Sequence, residues 1–293
     1  MRAIFYGILL LISAAAQAQG PFDGYLKGKG HLDMAVSYSA NSSPKYLGAN
    51  GQTYDFSYKG SLFAVFAEGG LTKDLDLIGV AAYSFTNTKT GLQDGGLYGK
   101  YRFLKAASKN GYRLNVLAGS GISFPLSDYS PTANGALGTK AITMPARLIL
   151  QLESPFGLFL NLTGGYNWRF DRAKAEDIAE VQMANPDFRP GPPAGYSSLL
   201  VKIGFPAAHY YLDGWLEWQN TKKGSDYSPN VIDLPQLYGV SYCQVGGTAY
   251  YSEGGRAGFY LSTGYILNGR NTGLIFRFTG GVVIKFHKKD ERA

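Results

Sequence analysis

Residues 274–286 read Leu274-Ile275-Phe276-Arg277-Phe278-Thr279-Gly280-Gly281-Val282-Val283-Ile284-Lys285-Phe286. A β-strand sends successive side chains to opposite faces. Leu274, Phe276, Phe278, Gly280, Val282, Ile284 and Phe286 then share one face, while Arg277, Thr279, Gly281 and Lys285 share the other. One face suits lipid and the other suits water. Inside a bilayer only a helix or a closed sheet satisfies every backbone group, so strands patterned this way predict an all-β, transmembrane, antiparallel up-and-down barrel.

Working outward, the same alternation recurs in twelve segments: 31–40, 56–68, 75–86, 93–104, 112–124, 141–152, 157–169, 197–205, 210–220, 237–251, 257–267 and 273–286. An even number returns both termini to one side. The connections 69–74, 105–111, 153–156, 206–209 and 252–256 are short throughout, and the long connections fall almost entirely in the other set, 41–55, 87–92, 125–140, 170–196, 221–236 and 268–272. Short periplasmic turns and long outer loops are the expected asymmetry of such barrels. Turn formers sit in the short set, with Asn110-Gly111 a strong hairpin signal. Segments two, three and ten have no clean polar face, because Phe63 and Val65 compete there with Leu62, Ala64 and Phe66.

Residues 1–18 read as a secretory signal: Arg2, an apolar run Ile4–Ile12, and an Ala16-Gln17-Ala18 cleavage site ahead of Gln19. Residues 19–293 then form one barrel domain in the outer membrane of a Gram-negative bacterium. Charged residues are 17%, against 22 Tyr and 17 Phe, which favours lipid-facing strands with aromatic girdles at both interfaces. The formal net charge of +7 falls to +6 without Arg2 and gathers in no stripe, which argues against nucleic-acid binding. The single Cys243 reads as a small buried apolar residue. Phe286 suits recognition by the barrel-insertion machinery, although the tail His287–Ala293 follows it.

Alternation places Asp33, Asp94, Lys100, Arg102, Arg113, Arg147, Arg169, Lys202, Asp213, Glu217, Arg277 and Lys285 on the inner face as candidate lumen-lining residues. Charges there need water or partners. They form either a salt-bridge network that holds the barrel or a constriction that selects solutes. The excess of cations predicts a weak preference for anions. Trp215, Tyr98 and Tyr260 are bulky inward residues that would close a narrow lumen if they met across it. Segment 171–196 reads as the largest outer loop, helical over part of Asp171–Ala184, and either folded over the mouth or solvated.

The three histidines, His31, His209 and His287, all map to the periplasmic rim, away from outer-leaflet substrates. No nucleophile elbow, zinc-protease motif or cysteine–histidine cluster is present, so neither catalysis nor a metal or other cofactor is expected. Asp74 and Asp76 flank a turn as structural residues. Three readings follow: a passive channel for small solutes, a non-transporting structural or surface-binding barrel, and a lipid-modifying barrel enzyme. The partners expected are outer-membrane lipid, the insertion machinery and an unspecified small solute.

One hairpin carries a family likeness. Gly70-Leu71-Thr72-Lys73-Asp74-Leu75-Asp76-Leu77, followed by Gly91-Leu92-Gln93-Asp94-Gly95-Gly96-Leu97-Tyr98-Gly99-Lys100-Tyr101-Arg102-Phe103-Leu104, resembles the outer-membrane channel proteins associated with meta-pathway phenol degradation. Gln93 stands where that family has a second glycine. The resemblance implies uptake of hydrophobic or aromatic compounds and carries no substrate residues across.

Overall fold

The structure, a computed structural model, describes residues 22–86, 89–129, 137–171, 175–184, 186, 193–227, 234, 237–254 and 256–287. The expected signal segment and its Ala18–Gln19 cleavage site lie outside the described residues. Twelve long strands make the wall: β1 (His31–Leu47), β2 (Thr53–Gly70), β3 (Leu75–Thr86), β4 (Asp94–Ala107), β5 (Arg113–Pro125), β6 (Ala141–Glu153), β7 (Phe159–Asp171), β8 (Tyr196–Pro206), β9 (Tyr210–Asn220), β10 (Ser241–Tyr251), β11 (Ala257–Arg270) and β12 (Phe276–His287). Each pairs antiparallel with its neighbours in sequence. β1 also pairs with β12, from His31↔His287 to Ser42↔Phe276, so the sheet closes into a barrel with no free edge. No described helix is long and apolar enough to cross a membrane; the crossing elements here are strands.

Alternation sets the two faces. Leu97, Tyr101, Ile203, Leu212, Phe259, Leu261, Phe278 and Phe286 are exposed outward. Lys100, Leu117, Ile149, Gln151 and Asn161 are buried inward. So wide an apolar outer surface is a lipid-facing one. A bulge between Arg102 and Leu104 exposes both Phe103 and Leu104 on that surface.

Three sequence expectations change. The first outer connection shrinks from 41–55 to the stretch between Leu47 and Thr53, because β1 and β2 pair on to Leu47↔Thr53 past a register shift between Ser43 and Lys45. Pro44, which has no N–H to give, occupies that irregularity. Strand ten begins at Ser241 instead of 237, since Leu237, Tyr238 and Val240 turn into the interior. Cys243 is half-buried at a bulge in β10, on the outward parity, and so is not a core residue.

The ambiguous strands are resolved as well. In β2, Phe63 is exposed outward, while Tyr58, Leu62 and Glu68 are buried inward. In β3, Leu77, Tyr83 and Phe85 face out and Asp76, Ile78, Ala82 and Ser84 face in. Both faces carry apolar residues because lipid lies outside and, at Phe66, Ile78 and Val80, another segment of this chain packs inside.

Candidate functional site

That segment is Phe22–Gly30. It leaves the start of β1 at the short-turn, periplasmic end and runs into the lumen. Gly28 and Gly30 have φ of 81° and 78°, a left-handed backbone open to glycine, and they make the reversal possible. Lys29 bridges to Gly70, and the Gly30 N–H donates to the Gly70 carbonyl at 3.0 Å. A side chain at Gly70 would overlap the Gly28 backbone.

At the far end of the segment Phe22 is 4% exposed. Its ring meets Tyr98 edge-on at 5.5 Å and lies against Gly119. Ile78, Leu117 and Ile149 complete its pocket, with Leu26, Phe66 and Val80 packed alongside. Burial of such a ring stabilises docking by about 2 kcal/mol. Tyr25 meets Phe159 edge-on at 5.7 Å, and Phe159 stacks on Tyr211 at 5.7 Å. Phe159, an apolar interruption on a polar strand face, is thereby part of the seat of this plug.

Ion pairs hold the plug to the wall. Lys100 Nζ lies 2.5 Å from Asp23 Oδ1 and 2.5 Å from Glu68 Oε1, and Lys100 is wholly buried. Lys27 Nζ lies 3.0 Å from Asp33 Oδ2 and 3.4 Å from Glu68 Oε2. The Lys27 N–H donates to Asp76 Oδ2 at 2.7 Å. Burial pushes the Asp23 carboxyl up, but the charges of Lys100 and Lys27 outweigh it and hold the group well below its usual range. Burial likewise pushes Lys27 down, and Asp23, Glu68 and Asp33 reverse this, so it stays protonated.

The other sequence-selected residues separate by height. Lys202 pairs with Asp213 at 3.3 Å, and the Tyr211 hydroxyl donates to Asp213 Oδ2 at 2.7 Å. Lys285 lies over the Tyr250 ring at 5.1 Å. Arg102 pairs with Asp74 at 2.6 Å, beside a periplasmic turn. Arg113 pairs with Glu153 at 2.6 Å with its side chain 62% exposed, so it belongs to the rim and does not line the lumen. Asp94 sits at the outer end, where it accepts from the Tyr129 hydroxyl and, at 2.8 Å, from the Thr139 N–H, tying down an outer loop.

Arg147 sits at the level of Phe22, and Arg169, Glu217 and Arg277 lie further toward the outer end. Arg147 donates to the Ala146 and Tyr166 carbonyls at 3.1 and 3.2 Å and to Asn167 Oδ1 at 2.9 Å. Arg277 Nε donates to Asn41 Oδ1 at 2.8 Å. Glu217 Oε2 accepts from Gln244 Nε2 at 2.6 Å.

Above this level the outer connections turn inward. Tyr227 packs edge-on against Tyr46 at 4.8 Å and Tyr54 at 5.4 Å, within a buried group that includes Tyr58, Tyr238, Tyr242 and Ile266. Asn271 fixes that connection, accepting from the Tyr227 N–H at 3.0 Å and donating to Asp226 Oδ1 at 3.0 Å. Helix α1 (Ala175–Ala184) lies in the 171–196 loop, and its Val181 is buried with Leu234 and Leu237.

Trp215, Tyr98 and Tyr260 do not meet in the middle. Each ring lies along the wall over inward-facing glycines: Trp215 over Gly246 and Gly264, Tyr98 over Gly96 and Gly121, Tyr260 over Gly281. A Cβ at Gly246, Gly121 or Gly281 would overlap the ring that covers it. His31 and His287 are register partners at the periplasmic rim, and His209 Nδ1 lies 3.1 Å from the Ser252 carbonyl at the same end. Among the described residues no group of His, Cys, Asp and Glu could hold a metal ion.

The class these features define is the transmembrane β-barrel with an internal plug. Among solved structures, the chain is similar to the COG4313 outer membrane channel from Pseudomonas putida F1, at 14% identity and a TM-score of 0.66, over 90% of this chain and 98% of that one. It is similar to the NanC porin at 9% identity and a TM-score of 0.56, over 86% and 100% of the two chains. It is also similar to the KdgM porin in complex with disordered oligogalacturonate, at 9% identity and a TM-score of 0.50, over 86% and 99%. At these identities the likeness is one of fold. No family model matches the sequence, and no curated protein matches it significantly.

Proposed function

We propose that this protein is a passive channel of the bacterial outer membrane for small solutes, reached through a cleaved signal peptide and inserted with Phe286 as part of its terminal signal. One observation carries the reading. The wall closes without help from the plug, and the plug is a separate, N-terminal stretch held by ion pairs and two rings, Phe22 and Tyr25, against the inner face. A segment attached in that way can leave without breaking the sheet. The fold shared with proteins described as channels and porins supports the same reading. The hairpin at 70–104, with its likeness to phenol-pathway channel proteins, supports hydrophobic or aromatic compounds among the solutes.

Planar-bilayer recording tests it, with the mature chain beside a variant lacking Phe22–Lys27. The intact protein should conduct weakly and the truncated one severalfold more. Silence from both, with the barrel folded, would leave a non-transporting surface protein.

A further inference from the structure

We infer that the lumen from the level of Phe22 outward is a receiving site for small organic anions of the carboxylate class, with Arg147 as its principal contact. The inference rests on the channel reading and names the chemistry of its solute.

Four cations of the inner half and its rim are neutralised at contact distance. Lys27, Lys100, Lys202 and Arg102 each have a carboxylate at 3.4 Å or less. Arg147 differs: all three of its bonds go to uncharged oxygens, two carbonyls and one amide. It has no ion-pair partner among the described residues. Amide and carbonyl acceptors aim a guanidinium without cancelling its charge, which leaves its field available to an incoming anion.

Position fits the role. Arg147 pairs in register with Gly119, the glycine on which Phe22 lies. Its acceptors Tyr166 and Asn167 lie further along β7, so the head points away from the plug and toward the outer mouth. Glu217 on β9 lies within electrostatic reach of both Arg147 and Arg277, and Tyr196 within reach of Arg147 and Arg169. Arg147, Arg169, Arg277 and Glu217 thus share this level among the described residues. Glu217 has its own amide donor, Gln244, and no contact ion pair with either arginine. Fixed charge of one sign between low-dielectric walls raises the local concentration of the opposite ion. The side-chain hydroxyls of Tyr196 and Tyr242 add hydrogen-bonding partners for a carboxylate.

The test uses the Phe22–Lys27 deletion, to secure current, in four backgrounds: otherwise native, Arg147→Gln, Arg147→Lys and Glu217→Gln. Reversal potentials are read in gradients of potassium chloride and potassium acetate. Benzoate and the neutral benzyl alcohol are then added to the outer side. The otherwise native lumen should favour anions, Arg147→Gln should lower the anion-to-cation ratio about two-fold or more, Arg147→Lys should restore most of it, and Glu217→Gln should raise it. Benzoate should reduce the current in a way that Arg147→Gln abolishes, while benzyl alcohol should not. Cation preference, a ratio indifferent to Arg147→Gln, or equal block by both aromatics would overturn the inference while leaving the channel intact. Absence of current in every background defeats the channel reading itself.

Discussion

Asp23 and Lys100, 77 residues apart in sequence, meet inside the barrel with 2.5 Å between Asp23 Oδ1 and Lys100 Nζ. Lys100 belongs to the wall and Asp23 to the plug, so this contact joins two parts whose covalent link runs through Gly28–Gly30. Glu68, on the neighbouring wall, contributes the second carboxylate.

Removing the cation should therefore damage more than docking. Lys100→Met leaves Glu68, 2% exposed, with Lys27 alone, and breaking one side of a buried pair costs about 3 kcal/mol. Thermal unfolding in detergent should fall by several degrees, and the companion Lys100→Met/Glu68→Leu variant should recover part of the loss. An unchanged melting temperature in the single variant would mean that the network is solvated and weak.

The apolar end of the plug can be loosened without cutting the chain. Gly119→Val puts a side chain where the Phe22 ring lies, and Phe22→Ala removes the ring. Each should raise single-channel conductance toward that of the truncated protein while the barrel stays folded. The double variant should do little more than either single change, because both act on one contact. Native-like current from both singles would show that Phe22 does not hold the plug.

The wall was legible because a lipid–water boundary imposes a period of two, and β7, β9 and β12 obey it nearly residue by residue. The plug was not. Phe22–Gly30 is too short to show a period, and its partners Asp33, Glu68, Asp76 and Lys100 stand on four different strands. Its effect did reach the sequence, as lost alternation in β2 and β3, where Phe66, Ile78 and Val80 face chain instead of water. Strand ten was blurred in the same way by Val240 and Tyr242, which pack in the tyrosine cluster. Lys100 and Arg147 could be placed on the inner face from parity alone. That one is neutralised by carboxylates and the other is aimed by amides depends on neighbours that parity does not reveal.

Asp226 gives the outer connection a defined pH response. The Arg270 guanidinium donates to its Oδ1 at 2.6 Å, and this bond, aided by Asn271, holds the carboxyl below its usual range. A depressed folded-state value means that the stabilisation is present above the unfolded value of about 4 and is lost as pH falls through the lower folded one. Hydrogen exchange at the Tyr227 N–H, which donates to Asn271, should stay protected between about pH 8 and 5 and weaken only in stronger acid. Asp226→Asn should show faster exchange at neutral pH. Loss of protection near neutrality in the native protein would assign control of this loop to some other group.

Trp215 lies buried against the wall at mid-height of its strand, 4% exposed. Its ring lies flat because Gly246 and Gly264 have no side chains beneath it. The methyl group added in Gly246→Ala would overlap both the Trp215 ring and the Thr263 carbonyl of the neighbouring strand, so it removes the space the indole uses and presses on the wall. The ring must then lift from the wall or distort its strand, at about 1–3 kcal/mol. Two readouts should move together: the melting temperature falls, and in the plug-deleted background the conductance falls as the ring swings into the path. Trp215→Leu combined with Gly246→Ala should restore the current, since the obstructing ring is gone. If Gly246→Ala lowered stability yet left conductance unchanged, the ring would be displaced along the wall, and the narrowest part of the path would lie elsewhere.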